Sequence, residues 1–463
     1  MSDEIVVRSP YDGTEIGRVP RQGPDDVDRA VAAAGRALAE VAFPPWKRAE
    51  VLDSAARLLG ERSEDFARGI AREAAKPIRT ARVEVARAVS TFTFAAVEAR
   101  RLTGDMVPID AAQIGEGRLA FTLRVPVGVV AAISPFNFPL NLVAHKVAPA
   151  IAAGCPVVLK PASQTPLSAL ALASLLVDEC GLPAGYLSVV TGGGGEVGNA
   201  LVEHPDVAYI SFTGSSEVGW GISAKAGRKK VALELGNNSP VVIDADGDWD
   251  TAARSIAATG FSHAGQSCVS VQRVYVHADV AEPFNQALVK LVSDLVVGDP
   301  LEEATDVSAL ISEGERDRVS SWVDEAVGAG ARLLTGGVVE DGILRPTVLS
   351  GVTPDMKVCR DEVFGPVVAV QACASFDEGL RLADDTRYGL QAGVFTASLA
   401  SAVQAARELH FGTVLVNEVP TWRADQMPYG GVRESGNTKE GPAWAVRAMT
   451  EERLVVIRPD MPR

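Results

Sequence analysis

Apolar residues recur every three or four positions through residues 25–41, 47–75 and 79–103, where Ala, Arg and Glu dominate. That period predicts three helices. From about Leu119 the pattern changes. Short apolar runs, Val127–Ile133, Pro156–Lys160, Leu187–Val190, Val207–Phe212 and Val231–Leu235, alternate with stretches of helical period such as Pro166–Cys180 and Glu196–His204. Runs this short and this uniformly apolar, separated by helices, predict a parallel sheet buried on both faces. The rhythm then restarts with Pro240–Ile243, a helix over Trp249–His263, Val274–His277 and a helix over Val280–Leu295. It continues in Val367–Gln371, Gly393–Thr396 and Thr413–Val416. The predicted fold class is α/β, with two parallel-sheet domains in succession and a boundary near residue 235. Arg118–Val125 and Glu452–Ile457 read as strands that either protrude to pair with another subunit or lie on the surface. Pattern alone favours the surface.

Composition narrows the partners. With 463 residues and 47% hydrophobic positions, the chain is too long for one core. The net charge of -15 opposes binding to a phosphate backbone, so nucleic acid is not an expected partner. No apolar run reaches the roughly 18 residues of a membrane span, and the start, MSDEIVVRSPYDG, lacks the pattern of a secretory signal. The five cysteines are an odd number with no Cys-x-x-Cys pair, which fits a reducing cytoplasm. The five histidines are scattered, so no metal site is expected.

Two glycine-rich turns compete as phosphate-binding loops. Gly193, Gly195 and Gly198 match Gly-x-Gly-x-x-Gly after the Leu187 run. One unit later, Phe212-Thr213-Gly214-Ser215-Ser216-Glu217-Val218-Gly219 offers a glycine, hydroxyls and free N–H groups at a helix start. Both would suit a pyrophosphate at a helix N-terminus, and local chemistry does not choose between them.

Seven segments, in order and spanning nearly the whole chain, resemble the aldehyde dehydrogenase superfamily. They are Pro135-Phe136-Asn137-Phe138-Pro139, Lys160-Pro161-Ala162-Ser163, Phe212-Thr213-Gly214-Ser215, Glu234-Leu235-Gly236, Gly265-Gln266-Ser267-Cys268, Glu362-Val363-Phe364-Gly365-Pro366 and Pro428-Tyr429-Gly430-Gly431. The resemblance implies a Rossmann-like cofactor domain over 1–107 and 127–235 and a catalytic domain over 236–435. It also implies a small β oligomerisation extension over 108–126 and 436–463, and a homodimer or homotetramer. It implies NAD or NADP as cofactor and an aldehyde as substrate. Cys268 is then the nucleophile, forming an adduct from which hydride leaves and a thioester that water hydrolyses. Asn137 donates to the oxyanion, and Glu234 is the general base. The second glycine loop, with Gly214 and Ser215, holds the cofactor. Lys160 holds the adenosine ribose, and Glu362, with Phe364 beside it, the nicotinamide ribose. Ser163 stands where NAD-preferring members often carry Glu, which admits NADP+. Asn237-Asn238 replaces the usual Gly-Lys; Asn tolerates positive φ, and its side chain is expected beside the nicotinamide.

The same resemblance places Asn141, Leu142 and His145 on the substrate wall, with Trp422 and Arg423 on the closing loop and Arg87 at the tunnel mouth. Two arginines there resemble the phosphate-binding arginines of non-phosphorylating glyceraldehyde-3-phosphate dehydrogenase. A guanidinium grips a phosphate, sulfonate or carboxylate by paired contacts, so a small polar or anionic aldehyde is expected. Two alternatives remain: a CoA-acylating enzyme, which lacks a Glu at the position of Glu234, and a binding protein on the same scaffold, which has no need to keep Cys268 and Asn137.

Overall fold

The computed structural model describes residues 4–458; residues 1–3 and 459–463 of the expected cofactor-binding and oligomerisation segments lie outside the described residues. Two sheets form its frame. The first is wholly parallel, in the order Leu187–Val189, Val157–Lys160, Val129–Ile133, Val207–Thr213, Lys230–Glu234. The second has seven strands, in the order Arg332–Thr335, Thr347–Ser350, Val367–Cys373, Val271–His277, Ser239–Ile243, Gln391–Phe395, Thr413–Val416. Only its edge strand Arg332–Thr335 runs antiparallel.

The central strands are apolar because both faces are covered: every residue of Val129–Ile133 and of Ser239–Ile243 is buried. One cover is the helix Asn141–Ala153, itself buried at every position. It packs against Ile78–Arg101, whose buried positions Ile78, Ala81, Val85, Ala88, Phe92 and Ala95 repeat at helical spacing. The small alanines let the two backbones approach closely. Phe92 is fully buried in the same core, and its truncation to Ala would cost about 3–5 kcal/mol.

Several boundaries differ from the sequence expectation. The stretch 47–75 is two helices, Pro45–Glu61 and Ser63–Ala74, broken at Arg62. Arg62 is held outside by Glu179, with guanidinium–carboxylate contacts of 2.5 and 2.7 Å. A hairpin, Glu4–Arg8 with Glu15–Pro20, precedes the helices. The helix from Trp249 stops at Thr259 rather than His263, because His263 and Ala264 adopt left-handed φ values of 49° and 53°. The two outlying strands pair with each other: Thr450–Ile457 runs antiparallel along Leu119–Pro126, with Met106–Val107 on the far edge. Their exposed residues include Leu119, Leu123, Leu454, Val456 and Ile457. Among the described residues, no helix is long and apolar enough to cross a membrane, and all five cysteines are unpaired.

Candidate active site

In the five-stranded sheet, Val129–Ile133 and Val207–Thr213 are neighbours whose chains leave toward opposite sides. The crevice beyond their carboxyl ends is where ligands sit in such sheets. Phe136 and Asn137 follow the first strand; Gly214 and Ser215 follow the second. Ser215 caps the helix Ser216–Lys225, its Oγ accepting from the Val218 N–H at 3.4 Å. A cavity of about 360 Å3 opens here, lined also by Glu234, Cys268, Glu362 and Phe364. Of the two glycine loops, Gly214 and Ser215 line it and none of Gly193–Gly198 does. Glu362 Oε1 accepts from the Asn237 N–H at 3.0 Å, and burial pushes its carboxyl up to about 7. Gly236 lies against it: a Cβ there would come 2.2 Å from Glu362 Oε2 and push the carboxylate aside. Phe364 meets Phe136 edge-on, centroids 5.8 Å apart. Lys160 and Ser163 stand to one side. Lys160 Nζ donates to the Pro161 carbonyl at 3.2 Å, and Ser163 Oγ to the Gly192 carbonyl at 2.9 Å.

A second cavity of about 210 Å3 lies beyond Cys268 and Leu142, which border both spaces. Cys268 Sγ is 3.0 Å from the Tyr429 hydroxyl. Burial pushes the thiol up to about 12, against the pull of Tyr429 and the Arg423 guanidinium. The turn into Cys268 is left-handed at His263, Ala264 and Gly265, and a Cβ on Gly265 would sit 2.1 Å from the Gly365 carbonyl. Gln266 locks this turn. Its carbonyl accepts from Asn137 Nδ2 at 2.9 Å, and its Oε1 accepts from the Ile311 N–H at 2.9 Å. Asn137 thereby spends one amide N–H and keeps a second. The Asn137 turn is held in turn by Glu84 Oε1, which accepts from the N–H groups of Leu140 and Asn141, while buried Lys76 pairs with Glu84 Oε2.

Glu234 ends its strand buried, with neither carboxylate oxygen hydrogen-bonded. Burial and then the charge of Glu440 raise its carboxyl well above the usual carboxylate range. Burial works against ionising Glu440 too, but His145, Arg423 and Lys146 hold it down to about 2. Its partners are Arg423 Nη2 at 2.9 Å and Lys146 Nζ at 3.7 Å. Lys146 Nζ also donates to Ser211 Oγ and Thr213 Oγ1, at 3.2 and 2.6 Å.

Arg87, Asn141, Leu142 and Arg423 line the second cavity. Arg87 donates through Nε and Nη2 to Asp425 Oδ1, at 3.2 and 3.0 Å, and Asn141 Nδ2 donates to the same oxygen at 3.3 Å. The Arg423 guanidinium lies 3.7 Å over the Tyr429 ring, and its Nε–H is buried without a partner. His145 sits behind the wall, Nε2 3.0 Å from Asp425 and 3.1 Å from Arg423 Nη2. Trp422 does not border the cavity: it is 49% exposed, and its carbonyl accepts from Gln391 Nε2 at 3.3 Å.

Asn237 and Asn238 depart from expectation. Neither has positive φ, and neither side chain borders the cofactor-side cavity. Asn237 Nδ2 donates to Ser239 Oγ and the Gln391 carbonyl; Asn238 Nδ2 donates to the carbonyls of Cys359 and Asp361. They stitch the entrance of the seven-stranded sheet. Sequence reasoning missed Tyr429, Glu440, Asp425, Lys146, Glu84 and His263 as site residues. Tyr429 lay inside a segment already singled out, and Lys146 directly follows His145. Asp425 lies between Arg423 and Pro428, and His263 two residues before Gly265, whereas Glu440 and Glu84 carry no local signal.

The aldehyde dehydrogenase family model matches residues 1–455. The chain is 48% identical over 456 residues to 3-sulfolactaldehyde dehydrogenase of Priestia megaterium, covering 98% of this chain and 95% of that protein. It is 36% identical over 458 residues to lactaldehyde dehydrogenase of Methanococcus aeolicus, covering 98% and 97%. Among solved structures it resembles aldehyde dehydrogenase 21 from Physcomitrella patens in complex with the reaction product succinate, with TM-score 0.95, 38% identity and coverage of 98% and 95%. It also resembles glyceraldehyde-3-phosphate dehydrogenase GapN from Methanocaldococcus jannaschii complexed with NADP, with TM-score 0.94, 36% identity and coverage of 99% of each chain.

Proposed function

This chain belongs to the aldehyde dehydrogenase family and oxidises an aldehyde to a carboxylic acid with NAD+ or NADP+; from that premise we propose that its substrate is a short anionic aldehyde, 3-sulfolactaldehyde being the best candidate. The carrying observation is the charge around the second cavity. Two guanidiniums, Arg87 and Arg423, line it, the carboxylate on its wall, Glu84, is already paired with buried Lys76, and the Arg423 Nε–H is unspent. In a chain of net charge -15, two guanidiniums on the wall of one small cavity suit an anionic substrate, and a guanidinium grips a sulfonate by paired contacts. The 48% identity to 3-sulfolactaldehyde dehydrogenase supports the same reading.

The chemistry follows from the residues. Cys268, on the wall shared by the two cavities, attacks the aldehyde carbon. The second amide N–H of Asn137 and the backbone N–H of Cys268 hold the oxyanion; losing one such donor typically costs about 100- to 1000-fold in rate. Bound NAD(P)+ would supply the hydride acceptor. Glu234 draws a proton from the water that attacks the thioester, which favours hydrolysis over transfer to CoA. The first cavity fits the cofactor: it lies at the strand switch point, a helix starts there, and Gly236 leaves room for the Glu362 carboxylate. Gly214 and Ser215 would hold the pyrophosphate, Glu362 and Phe364 the nicotinamide ribose, and Lys160 the adenosine ribose, with Ser163 leaving space for a 2′-phosphate. Residues 1–107 with 127–235 would form the cofactor domain and 236–435 the catalytic domain. The ribbon of Leu119–Pro126 and Thr450–Ile457 would join subunits through its exposed leucines and valines. The unpaired cysteines suit the cytoplasm.

The test is a panel of short aldehydes with and without a sulfonate, phosphate or carboxylate, run with both cofactors and with and without CoA. The sulfonated aldehyde is expected to have the highest kcat/KM and to yield free acid. Arg87→Ala should weaken its binding by about 1.5–3 kcal/mol and spare a neutral aldehyde of equal length. Equal use of neutral and anionic aldehydes by the wild type overturns the proposal.

A further inference from the structure

We propose that His263 reads a hydroxyl on the substrate carbon next to the aldehyde. His263 lines the second cavity with Cys268, Arg87 and Arg423. It is 2% exposed, and neither ring nitrogen has a hydrogen-bond partner. Buried polar groups are nearly always paired, so an unpaired one facing a cavity marks where a ligand supplies the partner. The backbone agrees: a histidine at φ 49° is held there against its preference, as residues in functional turns often are. Its carbonyl accepts from both the backbone and the side-chain N–H of Gln266, at 3.1 and 3.2 Å, so the ring rides on the same turn that presents Cys268.

The chemistry of the ring selects the group. Burial, and then the nearby Lys76 ammonium, keep the imidazole uncharged, well below its ordinary pKa. A neutral imidazole offers one N–H and one lone pair. An anion satisfies only the first and is repelled by the second, whereas a hydroxyl can serve either. The cavity is small, about 210 Å3. With the aldehyde carbon at Cys268 and the anion at the arginines, the carbon between them is the one left to carry that hydroxyl. The inference rests on reading this cavity as the aldehyde site.

The experiment compares kcat/KM for two pairs, 2-hydroxy-3-sulfopropanal against 3-sulfopropanal and lactaldehyde against propanal, in the wild type, His263→Leu and His263→Asn. The wild type should prefer the hydroxylated member of each pair by about tenfold or more. His263→Leu should bring the two members within about twofold. His263→Asn should retain a preference, because its amide both donates and accepts and tolerates the left-handed backbone. A preference that survives in His263→Leu overturns the inference. Should that variant not fold, product inhibition of the wild type decides: equal inhibition by 3-sulfolactate and 3-sulfopropanoate also overturns it. If the wild type oxidises neither sulfonated aldehyde, the anionic-substrate reading fails, and the lactaldehyde pair still judges His263.

Discussion

A thiol pushed up to about 12 is almost wholly protonated at neutral pH, yet the thiolate is the nucleophile. Cys268 in the cofactor-free protein is therefore expected to react slowly with iodoacetamide at pH 7–8, faster as pH rises, and faster at fixed pH with NAD(P)+ added, whose positive charge in the adjoining cavity would favour the thiolate. Labelling of the free protein at the rate of an ordinary thiol would contradict this. Cys268→Ser should bind cofactor but lose oxidation. Burial acts on Glu234 in the same direction, holding its carboxyl toward the protonated form. Because its carboxyl is raised, its basic form accumulates as pH climbs, and thioester hydrolysis should rise with pH through that range. Glu440→Gln removes the neighbouring negative charge that helps raise it, and should move the rising limb of the single-turnover hydrolysis profile to lower pH. An unmoved limb would mean that the two carboxyls do not communicate. Glu234→Gln should give a burst of reduced cofactor and then stall.

At the level of the element, Ser163 stands just beyond the strand Val157–Lys160, its Oγ on the Gly192 carbonyl. Ser163→Glu should bring a carboxylate to the end of that strand, penalise NADP+ and spare NAD+; the readout is the ratio of kcat/KM for the two cofactors. If the wild type already rejects NADP+, another residue sets the preference. The parallel strands were legible in the sequence because burial on both faces leaves them as unbroken apolar runs. The hairpin Glu4–Arg8/Glu15–Pro20 was not, since its half-exposed strands mix charge and valine. The break at Arg62 has only Gly60, in the last turn of the first helix, to announce it, and the left-handed turn that stops the helix from Trp249 short of His263 is set by close packing on Gly365. In the site, Cys268, Asn137 and Glu234 were singled out by the resemblance of their segments to the family, and the structure lines the cofactor-side cavity with all three. Glu440, Asp425 and Glu84 were not, because each also holds a partner on a distant element, Lys146, Arg87 and the Leu140 N–H respectively.

For the whole molecule, the ribbon of Thr450–Ile457 on Leu119–Pro126 leaves Leu123 and Leu454 exposed, at 44% and 54%. Leu454→Glu should shift the protein to smaller species in analytical ultracentrifugation, and an unchanged mass would remove the ribbon from the interface. Partners around the substrate cavity are likewise far apart in sequence: Arg87 meets Asp425 across 338 residues, and Cys268 meets Tyr429 across 161. A ribosome adding about 5–20 residues per second therefore makes Arg87 tens of seconds before the carboxylate that neutralises it. The guanidinium must stay in water over that interval, because burying it alone is prohibitive. The pocket thus closes only when its most distant members have been made, and chains cut short in synthesis carry the nucleophile without its setting.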